Sequence, residues 1–142
     1  MKNRLSTTIR NKIPIKTTEG IPSKLIELVR LRVAQIHQCP DSIAEHRERL
    51  KGFGETEGRL HELETWGPSI LFDGQERAAL ALCETITRNP EQPLPDRLIQ
   101  EMRRYFTKSA IVSLTLAILA VNDWSFRDNS HGILSNQIPA SS

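Results

Sequence analysis

The chain has 142 residues, 38% hydrophobic and 25% charged, with a formal net charge of +2. These values are typical of one soluble globular domain, and so small a charge does not favour a nucleic acid partner. The longest apolar run, residues 110–121, is too short to cross a bilayer, so we expect no membrane association. Cys39 and Cys83 are too few for a disulfide framework, which favours a reducing, cytoplasmic location.

The N-terminal segment, residues 1–20, shows no helical periodicity. Its first 18 residues contain no acid and five basic residues, namely Lys2, Arg4, Arg10, Lys12 and Lys16. We expect a basic N-terminal arm, with a transit peptide as the alternative. Residues 21–128 then form the domain, and residues 129–142 form a C-terminal tail without a periodic pattern.

Pro22 and Ser23 open the first predicted helix. Its apolar residues recur at helical spacing, and further apolar residues lie on other faces, so we expect burial on more than one side. A second helix begins near Cys39 or Asp41, because Pro40 suits a first helical position. Ser42 with Glu45 fits a capping box in the same segment.

Four more helices follow in the pattern. A short helix is predicted over residues 56–66, and Asp73 with Glu76 is a capping box that opens a helix over residues 75–87. Residues 96–105 read as another helix. Thr107 caps the last, over residues 110–124, whose apolar side chains on all sides predict a central position or one between subunits. The fold class is therefore all-α, with about six helices.

The stretch around Cys39 holds the candidate chemistry. Cys39, Ser42 and His46 are separated by three and four residues, which places them on one helix face. At a helix N-terminus the dipole and free N–H groups favour a thiolate, and a histidine on that face could relay the proton.

Ordinary structural roles compete with this interpretation. Free cysteines are often inert core residues, and Cys83, on an apolar stripe, is expected to be one. Ser42 already has a role as a cap, which argues against a Ser–His nucleophile pair. The histidines show no trusted metal-ligand spacing, so we expect no metal or cofactor.

The segment "IPSKLIELVRLRVAQIHQC", residues 21–39, resembles the carboxymuconolactone decarboxylase-like family in its alkylhydroperoxidase (AhpD-like) branch. Members of that branch carry a glutamate, Cys-x-x-Cys twelve residues later, and a histidine four residues after the second cysteine. Glu27 precedes Cys39 by twelve residues, and His46 follows Ser42 by four. The resemblance continues through "GETEGRLHELETW", "ERAALALCETIT" and "IVSLTLAILAVNDW", to about residue 127.

The resemblance implies an all-α fold that assembles as dimers, trimers or hexamers, with the site near a subunit boundary. It also implies a thiol cycle, in which one cysteine reduces a peroxide to become a sulfenic acid and its neighbour resolves it as a disulfide. Carried over by position, Glu27 and His46 move protons and Cys39 is the first cysteine.

Ser42 departs from the branch, because a hydroxyl cannot form a disulfide. His37 and Ser125 also stand where relatives often have asparagine. Three hypotheses remain. The first is a one-cysteine thiol peroxidase or redox sensor that depends on an external thiol reductant. The second is a lyase or decarboxylase, or a ligand-binding oligomer, for a small organic acid at Glu27, Ser42 and His46. The third is a non-catalytic oligomeric partner protein.

Overall fold

The computed structural model describes residues 20–123. Three predicted features lie outside the described residues: the basic arm (except Gly20), Ser125 and the C-terminal tail. The described part is built from helices and contains no strand. The helices are α1 (Ser23–His37), α2 (Pro40–Gly52), α3 (Glu57–Glu62), α4 (Gly74–Arg88), α5 (Asp96–Met102) and α6 (108–123). A 3-10 turn, Leu63–Thr65, extends α3.

The first helix, α1, is the central element of the described fold. It packs against both α2 and α4, and nine of its fifteen residues are buried, including Glu27 and Arg32. An exposed amphipathic helix would bury one stripe only. The sequence-based expectation of burial on several sides is therefore confirmed, and it explains why two charged residues of α1 need partners inside the protein.

The last helix, α6, does not have the central position that its apolar sequence predicts. Leu114 and Ile118 are fully buried in the core, but Val112, Leu116 and Leu119 on the opposite side are 59%, 49% and 46% exposed. Within residues 20–123, only one face of α6 finds packing partners. The central position is therefore wrong for the described fold, because composition reports how apolar a helix is, not how many neighbours the fold provides. The alternative position, between subunits, stays a prediction.

Two predicted helix starts are confirmed by their hydrogen bonds. The Asp73 side chain accepts from the Glu76 backbone N–H at 2.8 Å, and the Glu76 carboxylate accepts from the Asp73 N–H at 2.9 Å, which completes the capping box of α4. Thr107 Oγ1 accepts from the Ala110 N–H at 3.1 Å at the start of α6. Both caps satisfy backbone donors that a helix leaves unpaired.

Two details differ from the sequence-based expectations. The N-cap of α2 is Cys39, and its side chain makes no capping hydrogen bond. Ser42 is inside the first turn, so the predicted Ser42–Glu45 capping box is wrong. The helix begins three residues earlier than a Ser42 cap requires, because Pro40 occupies its first helical position. The fifth helix ends at Met102 instead of Tyr105, and residues 103–105 form turns.

A buried ion cluster ties α3 to the start of α4. Arg59 donates to the Glu55 carboxylate at 2.7 Å and also to that of Glu76, and its guanidinium lies 4.7 Å from the centre of the Phe72 ring. The hydrogen bonds to Glu76 and Glu55 raise the pKa of Arg59. The cluster connects the loop after α2 with α4 and so supports the helix that carries the candidate site.

Among the described residues, no helix combines the length and apolar character needed to cross a membrane.

Candidate functional site

The second helix positions the sulfur of Cys39. A left-handed turn at Gln38 (φ 55°, ψ 50°) ends α1, and Cys39 follows in an extended conformation as the N-cap of α2. The Cys39 side chain is buried, with 5% of the residue exposed. The sulfur is therefore held at the positive end of a thirteen-residue helix, where the macrodipole favours a negative charge.

Ser42 is in direct contact with this sulfur. Cys39 Sγ donates to Ser42 Oγ at 3.3 Å. Cys39 is the N-cap and Ser42 the third helical residue, and side chains at these two positions meet in helix N-termini. The geometry that would bring two sulfurs together in a Cys-x-x-Cys motif is therefore present here with one sulfur and one hydroxyl.

Glu27 and His46 form the second pair of the site. His46 Nδ1 lies 2.8 Å from Glu27 Oε2, and the two side chains are 13% and 6% exposed. His46 follows Ser42 by one helical turn, about 6 Å along the axis of α2. The structure thus places the four predicted residues in two bonded pairs, Cys39 with Ser42 and Glu27 with His46, and the α2 members Ser42 and His46 are one turn apart.

The Glu27 carboxylate is ionised at neutral pH. Burial by itself raises the pKa of Glu27, but hydrogen bonds from His46 and Arg30 outweigh burial and hold the pKa below its usual value. Because an ionised carboxylate only accepts hydrogen bonds, the hydrogen between the two residues belongs to His46 Nδ1. In the neutral imidazole the other nitrogen, Nε2, then carries the lone pair and can act as a base.

Two arginines beside Glu27 were missed by the sequence analysis. Arg30 Nη1 donates to Glu27 Oε1 at 2.8 Å, and Arg49 Nη1 lies 3.6 Å from the same oxygen. The three-residue spacing of Glu27 and Arg30 on a helix could have indicated the first contact. The second joins α1 to α2 and had no signal in the sequence.

His37 has a different position from His46, although it is closer to Cys39 in the chain. Its Nε2 lies 2.8 Å from Asn122 Oδ1, while Asn122 Nδ2 donates to Thr87 Oγ1 and to the Ile118 carbonyl. Since the carbonyl can only accept, the amide oxygen faces His37, whose Nε2 must carry a hydrogen. His37 thereby links the end of α1 to α4 and α6.

The second cysteine, Cys83, takes no part in these contacts. Cys83 on α4 is fully buried, and its sulfur lies 3.8 Å from the Val29 carbonyl oxygen, which fits a weak S–H donor. Burial raises the pKa of the Cys83 thiol to about 12. The expectation that Cys83 is a core residue is confirmed.

Two surface cavities flank α2. One, of about 510 Å³, is lined by Glu27, Arg49, Gly52 and Phe53, so the carboxylate of the Glu27–His46 pair borders a space open to small molecules. The other, of about 600 Å³, is near the start of the helix and is lined by Gln35, Gln38, Pro40, Ile43, Ala44, Arg47, Glu48 and Glu64. Among the described residues, no group of three His, Cys, Asp or Glu side chains has an arrangement that could hold a metal ion.

Known proteins resemble the chain in sequence and in fold. The carboxymuconolactone decarboxylase family model matches residues 11–85. The uncharacterized protein YdfG of Bacillus subtilis strain 168 is 34% identical over 99 residues, which are 70% of this chain and 67% of that protein. The fold is also similar to the crystal structure of an Agrobacterium tumefaciens protein of unknown function, described as a candidate AhpD antioxidant defence protein. The two sequences are 25% identical, and the structures match with a TM-score of 0.73 over 88% of this chain and 85% of that one. The chain belongs to the carboxymuconolactone decarboxylase family and has an AhpD-like fold.

Proposed function

We propose that the protein is a one-cysteine thiol peroxidase, or a peroxide-responsive redox sensor, of the AhpD type. The observation that carries the proposal is the position of Cys39 at the N-cap of α2 with its sulfur 3.3 Å from Ser42 Oγ. Ser42 in turn precedes His46, which is paired with Glu27, by one helical turn. A cysteine at a helix N-terminus favours the thiolate, and a carboxylate–histidine pair supplies a positioned base.

The proposed first step consumes one peroxide. His46 Nε2 takes the thiol proton, and the Cys39 thiolate attacks one peroxide oxygen. The oxygen–oxygen bond breaks, the leaving alkoxide takes a proton back from His46, and the products are an alcohol and a Cys39 sulfenic acid. Ser42 Oγ–H can donate to the negative sulfur before attack.

The proposed second step needs an external thiol of low molecular weight or on a partner protein. One such thiol attacks the sulfenic sulfur and forms a mixed disulfide on Cys39. The displaced hydroxide takes the proton of the attacking thiol and leaves as water. A second thiol attacks the mixed disulfide, releases the reductant's own disulfide and returns Cys39 to the thiol. One peroxide and two thiols thus give an alcohol, water and a disulfide.

The experiment that tests this proposal is intact-mass spectrometry after stoichiometric alkyl hydroperoxide with a sulfenic-acid trap. We expect one trap adduct, located on Cys39 by peptide mapping, and none in Cys39→Ser. Cys83→Ser is the matched control and should react like the wild type. No adduct on Cys39 in folded protein would overturn the proposal.

A second candidate function is acid–base chemistry on a small organic acid, as in the decarboxylase branch of the family. It is favoured by one observation, namely that the Glu27–His46 pair is intact and Glu27 lines the cavity of about 510 Å³ while the second sulfur is absent. Saturable binding of a small carboxylic acid that is lost in His46→Gln, together with an unreactive Cys39, would favour this function.

A further inference from the structure

The Glu27 carboxylate is the meeting point of three charged or titratable groups. Oε1 accepts from Arg30 Nη1 at 2.8 Å and faces Arg49 Nη1 at 3.6 Å, while Oε2 is 2.8 Å from His46 Nδ1. Arg30 comes from α1 itself, and His46 and Arg49 come from α2. Within residues 20–123, α4 contributes no ion pair to this carboxylate although it packs against the same helix.

The two arginines are not equivalent. Arg30 is 33% exposed and lies within hydrogen-bond distance of Glu27. Arg49 is 51% exposed, is 0.8 Å farther from the same oxygen (3.6 against 2.8 Å), and donates to Glu45 at 2.8 Å. Solvent screens a half-exposed charge strongly. Arg30 is therefore the cation that contributes most to the ionisation of Glu27.

Arg30 also fixes which carboxylate oxygen faces His46. Because Oε1 accepts from Arg30 Nη1, Oε2 is left to accept from the imidazole. An ionised carboxylate can only accept, so a neutral His46 in this contact carries its hydrogen on Nδ1 and leaves Nε2 as an acceptor.

We propose that Arg30 is a positioning residue that holds the Glu27 carboxylate with Oε2 toward His46, so that His46 keeps its hydrogen on Nδ1 and presents Nε2 as the base. The use of Nε2 as a base rests on the proposed function. The hydrogen-bond arrangement itself does not, because it involves neither Cys39 nor a substrate.

Nitrogen-15 NMR of His46, followed as a function of pH, tests the proposal together with carbon-13 titration of the Glu27 carboxyl. In the wild type we expect the Nδ1–H tautomer through neutral pH. In Arg30→Met the Glu27 titration midpoint should rise by about one pH unit, and the Nε2–H tautomer should gain population in the neutral imidazole, because the carboxylate that holds Nδ1–H is no longer fixed in place. Arg30→Lys, which keeps the charge, should restore most of the wild-type behaviour.

Arg47→Met is the matched control. Arg47 is 31% exposed and bonded to a single glutamate, Glu57, at 2.7 Å, so its removal deletes a similar ion pair directly beside His46. It should leave the Glu27 midpoint and the His46 tautomer unchanged. If Arg30→Met does not fold, Arg30→Gln removes the charge but keeps N–H donors, and the same rise in midpoint is expected.

An Nε2–H tautomer in the wild type, or an unchanged Glu27 midpoint in a folded Arg30 variant that lacks the charge, would overturn the proposal. An effect of equal size in Arg47→Met would do so as well, because it would indicate a general field effect. These outcomes are distinct from failure of the proposed function, which would appear as an unreactive Cys39 in a protein whose His46 tautomer is as expected.

Discussion

Glu27 on α1 and His46 on α2 are 19 residues apart in the chain, yet Oε2 and Nδ1 are 2.8 Å apart. The contact crosses one of the closest helix interfaces in the described fold. It therefore couples the packing of the central helix to the electrostatics of the candidate site.

The Glu27 ion pairs should make stability depend on pH. Because the pKa of Glu27 is below its usual value of 4.5 in the folded protein, its contribution is fully present above that pH and is lost as the pH falls through the lower folded value. Glu27→Gln should reduce the free energy of unfolding most at neutral pH, and the difference from wild type should shrink below pH 4.5. Urea unfolding between pH 7 and pH 3 measures this.

The control for this prediction is Glu101→Gln. Glu101 is 48% exposed and lies 3.7 Å from an exposed Arg104, and such pairs contribute little. The free energy of unfolding of Glu101→Gln should differ from that of the wild type by a small amount that is nearly constant between pH 7 and pH 3. If the Glu27→Gln difference is also constant across the pH range, the folded protein does not hold this carboxylate ionised more strongly than the unfolded chain does.

Restoring the second sulfur tests whether its absence limits peroxide turnover. Ser42→Cys places a thiol where Oγ now lies 3.3 Å from Cys39 Sγ. Since Ser42 is not the helix cap, we expect a stability change within about 0.5 kcal/mol. The variant should form a disulfide with Cys39 and reduce peroxide faster than wild type with a dithiol reductant, as followed by loss of peroxide.

Two outcomes of this experiment would contradict the expectation in different ways. A variant that oxidises to the disulfide but stays inactive would favour the organic-acid function. A wild type that already turns over as fast as the variant would show that the second sulfur is not limiting.

Thiol labelling should separate the two cysteines. Cys83 is fully buried with its pKa raised to about 12, and the thiolate is the reactive form. In native protein at pH 8, iodoacetamide should add one group, on Cys39, and Cys39→Ala should remain unlabelled until denatured. Rapid native labelling of Cys83 would mean that α4 opens locally much more often than its packing indicates.

Gln38 holds a backbone conformation that favours glycine. Its φ of 55° is the one positive φ at a non-glycine residue among residues 20–123, and this conformation strains L-residues. Gln38→Gly should raise the free energy of unfolding by up to about 1 kcal/mol. Ala44→Gly is the control, because it introduces glycine into the interior of α2, where the conformation is helical. It should lower the free energy of unfolding by about 0.5–1 kcal/mol. Chemical denaturation of both variants measures the contrast, and a destabilised Gln38→Gly would contradict it.

We propose that the chain self-associates through the exposed side of α6. Val112, Leu116 and Leu119 are spaced by four and three residues and form one apolar stripe. Leu116→Glu should shift the protein to a smaller species in size-exclusion chromatography with light scattering. Ile70→Glu, at an apolar residue that is 95% exposed elsewhere, should not. A wild type that is monomeric at micromolar concentration would contradict the proposal.

The sequence by itself determined the helices, because their signals are local. Periodic apolar residues, the Asp73–Glu76 box and the Thr107 cap act over three or four residues, and each is found where expected. It also determined the family, through the order of its motifs, and the contact between Cys39 and Ser42, which are three residues apart.

Only the tertiary structure decided how the helices use their surfaces. It gave the central place to α1 and left one side of the more apolar α6 exposed. It also set the partners that reach buried groups from other helices, including Arg49 and His46 on Glu27 and the separate bond of His37 to Asn122. A buried charge is stabilised by whichever group the packing brings within about 3 Å, and that neighbour lies on another helix, where sequence spacing carries no information.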